Sequence, residues 1–259
     1  MEDKDLRLWK SKMAVGRMSY DLGLYPQAVH HFRTALSLFE AKHIPQELLS
    51  RNLVDLAKAL GSMGHFDEGE ELLNKAIRLD TEDCVSSAEI IEDYHQLSLL
   101  FWRANKQGAA EDAIAQAMKL MSESKESIPD ELIAKLKKHK AVLSVLNKDY
   151  RNAEKLIDDA ILFIASSPVM GKFSPLYGDC LMVKLMMYME TERFEEALAL
   201  YPEALKILDV SRGETHVKTI AFIEAIEHLS EEKGLHEEAA TLKKELARLK
   251  EMSRKKGVD

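Results

Sequence analysis

Histidine and cysteine side chains could bind a metal or attack a substrate, but their spacing in this sequence favours neither activity. His30 and His31 are adjacent, so a helix would place them on different faces. Cys84 lies in the acidic segment TEDC, where nearby carboxylates would raise the pKa of the thiol and keep it protonated. His228 and His236 flank a predicted turn in an acidic segment, which is typical of a solvated surface. We therefore predict no metal site, no cofactor and no catalytic residue.

Two clustered segments could instead contact a ligand. The densest basic cluster is KLKKHK at residues 135–140, which is either a solvated helix face or a ligand-contacting strip. The methionine-rich segment CLMVKLMMYME is either core or binding surface, since Met182, Met186 and Met189 follow one another at helical spacings of four and three. No GxGxxG, P-loop, HExxH or GxSxG motif is present. The sequence thus favours binding over catalysis and predicts that the protein is not an enzyme.

The composition is typical of a folded, acidic protein. Of the 259 residues, 46% are hydrophobic and 31% are charged, and the net charge is −8, which argues against a nucleic-acid binder. No apolar stretch is long enough to span a membrane, and the first ten residues, MEDKDLRLWK, lack the apolar core of a signal peptide. Cys84 and Cys180 are far apart and are expected to be reduced thiols. We expect a cytoplasmic protein that binds no nucleic acid and has no membrane span.

A small residue recurs along the chain at intervals of 41 to 44 residues. The series is Ala28, Gly69, Ala110, Ala153, Ala197 and Ala239. Aromatic or polar residues stand three positions before each member, and in five of the six repeats alanine stands seven positions after, which defines one helical stripe. A turn is predicted five positions before each member, at Gly23, Gly64, Asn105, Lys148, Glu192 and Gly234. Each unit is therefore predicted to be a helix, a tight turn and a second helix.

The phrase IPQEL, which starts at Ile44, returns as IPDEL at Ile128 and in weaker form as SSAEI near residue 86. Proline and serine both favour helix starts, so the phrase predicts where each first helix begins. We therefore predict one domain over residues 1–259. Its six repeats are expected at approximately 5–43, 44–85, 86–127, 128–170, 174–212 and 214–256.

These residues resemble the tetratricopeptide repeat (TPR), in the long variant of about 42 residues that is similar to kinesin light chain repeats. The pattern is carried by Gly16, Gly23, Tyr25, Ala28, Phe32 and Ala35 in the first unit, and by their equivalents in the others. The resemblance implies an all-α fold, an α-solenoid of six TPR-like repeats forming a right-handed superhelix. In the fourth repeat, Lys137 and Lys140 occupy expected packing positions, so either their stems lie along the seam or the helix is rotated.

The resemblance also implies a ligand-binding groove lined by the first helix of each repeat. It places there Lys10, Met13, Arg17, Tyr20, Arg51, Lys58, His95, Trp102, Lys135, Lys138, Met182, Met186 and Met189. Such a groove is basic in the first, second and fourth repeats, apolar in the fifth and acidic in the sixth. The expected partner is another protein, through a peptide or helix with acidic and bulky apolar residues.

The function implied is a non-catalytic scaffold or adaptor. The alternative is a regulatory or sensory TPR receptor that binds a signalling peptide and controls a partner. The carboxylate clamp of chaperone-binding TPR adaptors is not reproduced, because acidic Asp55 and Glu92 occupy two of its positions. The sequence leaves open whether the chain also associates with itself.

Overall fold

The computed structural model describes residues 4–40, 44, 48–83, 85–212 and 217–256. These residues contain twelve α-helices and no strand, as the periodicity predicts. The helices are α1 (Lys4–Asp21), α2 (Tyr25–Glu40), α3 (Leu49–Ser62), α4 (Phe66–Glu82), α5 (Ser87–Arg103), α6 (Gln107–Glu123), α7 (Asp130–Leu146), α8 (Tyr150–Ser166), α9 (Pro175–Glu190), α10 (Phe194–Arg212), α11 (Val217–Glu232) and α12 (His236–Lys256). They form six pairs that match the six predicted repeats.

The chain divides into two compact units, residues 1–132 and residues 133–259, with the boundary in the first turn of α7. In unit 1, consecutive helices contact each other, from α1 and α2 through to α5 and α6. In unit 2, the same holds from α8 to α12. The fold class is therefore confirmed as all-α and built from helical pairs. It remains a prediction that the chain forms a single domain and that its repeats form a right-handed superhelix.

All six helical pairs use the same turn. The six predicted turn residues have φ between 57° and 82°, in the left-handed region. In every pair, the N–H of the following residue donates to a carbonyl five positions back, as Leu24 does to Ser19 at 2.8 Å. This is the Schellman arrangement, which satisfies carbonyls at a helix end. Because Lys148 and Glu192 adopt the turn without being glycine, tertiary packing sets the turn as strongly as local propensity does.

The recurrent small residues pack where the two helices of a pair cross. All six members of the series are buried, with exposures of 1% or less for the five alanines. In the third repeat, the Ser98 hydroxyl donates to the carbonyl of Ala110 at 2.6 Å, which requires the close approach that alanine allows. A methyl group on Gly16 would lie only 2.5 Å from the ring of Phe32. The predicted packing register is therefore confirmed.

The first helix of the fourth repeat keeps this register despite its lysines. Ala141, the expected packing residue, is fully buried. Lys137 lies over the ring of Phe163 at 5.9 Å and forms an ion pair with Asp159 at 3.7 Å. Its stem thus follows the seam with its charge outside, which decides between the two alternatives for Lys137.

The helix starts that the repeated phrase predicts are confirmed at the two copies that the structure describes. α5 begins directly after Ser86, and α7 begins directly after Pro129. The first copy falls largely on residues 45–47, outside the described residues. A further start occurs at α9, where the Ser174 hydroxyl accepts from the N–H of Tyr177 at 3.2 Å and Pro175 is the first helical residue.

Candidate functional site

The first helices of unit 1 lie side by side. α3 contacts both α1 and α5, and the side chains on the exposed side of these three helices form one surface. We call this surface the first-helix face and define it by residues on the three helices. They are Arg17, Tyr20, Asp55, Lys58, Gln96, Leu99 and Arg103. Unit 1 therefore presents the kind of surface that the groove prediction requires.

Two recesses lie side by side on the first-helix face. The first has a volume of about 170 Å³ and is lined by residues that include Arg17 and Asp55. The second has a volume of about 90 Å³ and is lined by residues that include Leu99 and Arg103. Tyr20 and Lys58 border both recesses. Both volumes are below the roughly 300–1,000 Å³ of pockets for small molecules, so each recess suits a single side chain rather than a cofactor.

The Tyr20 and Lys58 side chains form the ridge between the recesses. The Lys58 ammonium lies 5.5 Å from the centre of the Tyr20 ring, within cation–π range. The Tyr20 hydroxyl accepts from Ser62 at 3.4 Å, and Arg103 donates to Ser62 at 3.1 Å. These contacts link α1, α3 and α5, so side chains from all three helices hold the ridge in place.

The cations of this face form ion pairs with acids of the following repeat or, for Lys58, of its own helix. Arg17 Nε donates to Asp55 at 2.6 Å, and Lys58 lies 3.8 Å from the same carboxylate. One repeat further, Arg51 donates to Glu89 at 3.1 Å. These pairs are partly or largely exposed, so each stabilises the stack by about 0–1 kcal/mol. The predicted basic residues do share a surface, but acids of the next repeat offset part of their charge.

Three of the predicted groove residues are buried instead: Met13 at 2% exposure, His95 at 5% and Met189 at 1%. Each stands three or four positions from a packing residue of its own helix, so it lies on the same helical stripe. The prediction that these side chains line an exposed groove is therefore wrong. In each of these helices, more than one residue per turn faces the core.

The other predicted residues of unit 1 lie at the surface. Lys10 and Arg51 are exposed, and Trp102, which precedes Arg103 on α5, keeps 40% of its surface exposed. The groove prediction did not include Gln96 and Arg103, although the two stand seven positions apart and so share one side of the helix.

In unit 2 the predicted residues divide between surface and core. Lys138 forms an ion pair with Asp179 at 3.5 Å, again a cation matched by an acid of the next repeat. Lys135 and Met182 are half-buried, and Met182 packs against the core of this unit. Met186 is the exposed member of the methionine series, at 41%.

The histidine and cysteine residues that the structure describes gain no reactive setting from the fold. Within the described residues, no group of three or more metal-ligating side chains could hold a metal ion. The rings of His30 and His31 meet edge to face at 5.4 Å. Burial raises the pKa of the Cys180 thiol to about 12, which keeps it protonated and unreactive. Cys84 lies outside the described residues. None of the described helices is long and apolar enough to cross a membrane.

Similarity to known proteins agrees with this geometry. A family model of the tetratricopeptide repeat matches residues 50–83, which correspond to α3 and α4. No curated protein matches the sequence significantly. Similar solved structures include BtubC (BKLC) from P. vanneervenii, at 16% identity over 95% of this chain and 92% of that one, with a TM-score of 0.65.

Two further structures show the same fold. A putative kinesin light chain of Podospora anserina with nearly identical TPR-like repeats is 18% identical, covering 81% of this chain and 98% of that one, with a TM-score of 0.58. A Rap protein complexed with competence and sporulation factor is 10% identical, covering 98% and 77%, with a TM-score of 0.73.

The chain is therefore an all-α protein of helical pairs, with a tetratricopeptide-repeat match over residues 50–83 and a fold similar to that of solved proteins with TPR-like repeats. Within that class its repeats of about 42 residues resemble those of kinesin light chain-like proteins, as their spacing indicates.

Proposed function

We propose that this chain is a non-catalytic protein-interaction module, a scaffold or adaptor, whose first-helix face in unit 1 binds a peptide or helix of a partner protein. The observation that carries the proposal is the pair of recesses divided by Tyr20 and Lys58. Their sizes suit consecutive side chains of a bound segment better than a substrate or cofactor. Proteins with TPR-like repeats are typically non-catalytic interaction modules, which supports the same conclusion.

Recognition would combine a few cations with apolar anchors. Lys58 and Arg103 border the smaller recess, so an acidic side chain of the ligand can approach both. Because Arg17 is already matched by Asp55, the net positive potential is modest and acts mainly on the rate of association. Trp102 would supply the apolar contact, since exposed aromatic side chains dominate binding energy at protein interfaces. The ligand is thus a segment with at least one acidic and one bulky apolar residue.

A displayed library of random peptides, selected on the immobilised full chain, tests this proposal. Selected peptides should be enriched in acidic and bulky apolar residues. Calorimetry with one synthetic selected peptide should then show an affinity loss of about two- to fivefold for Lys58→Ala, and surface plasmon resonance should show a faster dissociation for Trp102→Ala. Lys75→Ala, an exposed lysine of α4, is the matched control and should bind normally. Peptides without acids, or affinities that neither substitution changes, would remove the first-helix face from the proposal.

A regulatory receptor for a signalling peptide is the second candidate. It is favoured by the similarity to a Rap protein whose structure holds competence and sporulation factor. Both candidates share the peptide-binding step, but only the receptor couples it to a second partner. Once a protein partner is known, the two candidates can be separated by adding the peptide. If the chain is a receptor, peptide and partner should bind together and the peptide should change the affinity of the chain for the partner. If the chain is an adaptor, the peptide should simply compete with the partner for the chain.

The remaining parts of the proposal follow from the same reasoning. The partner is a protein rather than a nucleic acid, in keeping with the net charge of −8. The cytoplasmic location, and a contribution of Lys135, Lys138 and Met186 in unit 2 to partner binding, are proposed on the repeat pattern alone.

A further inference from the structure

The outer face of α1 carries an exposed apolar stripe. Leu8, Val15 and Met18 of α1, and Leu22 directly after it, follow one another at spacings of seven, three and four, which places them on one side of the helix. Their exposed fractions are 42%, 38%, 60% and 68%. The same helix holds five basic and two acidic residues, although the chain as a whole has a net charge of −8. A basic helix with a continuous apolar stripe is unusual for a solvated surface.

The repeat itself shows what this stripe is shaped to contact. Forty-one residues later, the equivalent positions of α3 are Leu49, Leu56 and Ala59, and all three are buried. Eighty-two residues later, Leu97 and Leu100 of α5 are buried in the same way. These positions are buried because the preceding repeat packs on them, α2 on α3 and α4 on α5. In the first repeat the same positions are apolar and exposed.

The contacts of Leu100 indicate the shape of a helix that could cover the stripe. A methyl group on Gly61 would lie 2.5 Å from Leu100 Cδ1, and one on Gly69 would lie 3.0 Å from it. Leu100 therefore fills a slot that only small residues of α3 and α4 leave open. Met18 is the equivalent of Leu100 in the first repeat. A helix that covers the stripe must then present a glycine or alanine opposite Met18.

A second copy of this chain does not fit the stripe. The positions of α12 equivalent to Val29, Phe32 and Phe39 of α2 are Ala240, Lys243 and Lys250, and all three are exposed. A head-to-tail contact would therefore place lysines against the basic helix α1. A head-to-head contact would bring two copies of α1 together, each with three more basic than acidic residues. The charge of α1 instead complements an acidic partner.

We propose that the outer face of α1 docks an acidic amphipathic helix of another protein, which packs on α1 as α2 packs on α3. This surface is distinct from the first-helix face and gives the chain a second interaction site. The partner helix would bring apolar residues at spacings of three and four, a small residue opposite Met18, and acidic residues toward the flanking cations of α1. Docking would remove the apolar stripe from water, which favours association.

Helix α4 of this chain supplies a probe with that chemistry. A synthetic peptide of residues 66–82 contains six acidic and two basic residues, and its Gly69 already receives Leu100 in the folded chain. Binding of the fluorescently labelled peptide to the full chain is measured by anisotropy. We expect saturable binding that falls at least tenfold with Met18→Glu, because a charge would face an apolar contact. The matched control is Leu162→Glu, at an equally exposed leucine of α8, which should leave binding unchanged.

Each other outcome overturns the proposal. Absence of saturable binding, or equal binding of a scrambled peptide of the same composition, would show that the stripe recognises no helix. Dimerisation of the chain that Met18→Glu abolishes, measured by light scattering, would assign the stripe to a second copy. Met18-dependent binding to anionic phosphatidylserine vesicles without peptide binding would assign it to a membrane surface. Trp102→Ala should not weaken peptide binding; if it does, the peptide occupies the first-helix face instead.

Discussion

Replacing Asp93 with asparagine should stabilise unit 1 at neutral pH. Asp93 of α5 is 5% exposed and lies against Asp80 of α4, which is also buried. Burial, followed by the charge of Asp80 and a hydrogen bond to it, raises the pKa of Asp93 to about 9, and Glu92 and Glu89 raise it further. Asp93 is therefore protonated in the folded protein at neutral pH and is hydrogen-bonded to Asp80.

The sign of the pH dependence follows from this pKa. In the unfolded chain the carboxyl group of Asp93 loses its proton near the ordinary pKa of 3.8. Between that value and about 9, the folded state binds one more proton than the unfolded state, so the free energy of unfolding falls as the pH rises. At about 1.4 kcal/mol per pH unit, the loss reaches at most about 4 kcal/mol at pH 7.

Asparagine removes this loss, because it does not titrate. One N–H of the asparagine amide can still donate to Asp80. The other side-chain position is already a buried oxygen of Asp93 without a hydrogen-bond partner, so the second N–H of the amide would be left without an acceptor. That N–H costs about 1–3 kcal/mol. The net gain for Asp93→Asn should therefore be about 1–3 kcal/mol at pH 7, and should shrink to about zero or below near pH 5.

Urea unfolding from about pH 5 to about pH 8 measures this difference. Both tryptophans of the chain, Trp9 and Trp102, lie in unit 1, so tryptophan fluorescence follows the unit that contains Asp93. Asp112→Asn, at an exposed aspartate of α6, is the control and should show no pH-dependent gain. If the free energies of unfolding of wild type and Asp93→Asn differ by the same amount at both ends of the pH range, Asp93 does not hold an extra proton in the folded state. That result would refute this reasoning.

Four further substitutions test the packing and the turns. Ala160→Leu should destabilise unit 2 by about 1–3 kcal/mol through overpacking, and an unchanged melting temperature would contradict the register. Gly16→Ala should lower the stability of unit 1 because the new methyl group meets the ring of Phe32, whereas Gly108→Ala, with open space around it, should raise stability by about 0.5–1 kcal/mol in the same urea titration. Lys148→Gly should stabilise unit 2 by about 1 kcal/mol, because Lys148 has a φ of 60°, and a loss on thermal unfolding would show that its side chain matters more than its backbone.

The repeat pattern was predictable because it depends on local rules. A helical stripe has a fixed period, and a tight turn between two helices needs one residue in the left-handed region. Spacing alone therefore located Ala28 and its five equivalents, as well as the turn at Gly23 and at Lys148. The same rules explain the error at Met13, which stands three positions before Gly16 and so faces the core with it.

The sequence by itself thus determined the twelve helices, their pairing and the residues at which paired helices cross. Only the tertiary structure decided which side chains remain at the surface and what they contact. Arg17 meets Asp55, and Asp93 meets Asp80, across boundaries between repeats, and no local period specifies such pairs. The stripe at Met18 has the pattern of a buried helix face. It is exposed because in the described structure no repeat packs on the outer side of α1, and that depends on neighbours rather than on its own residues.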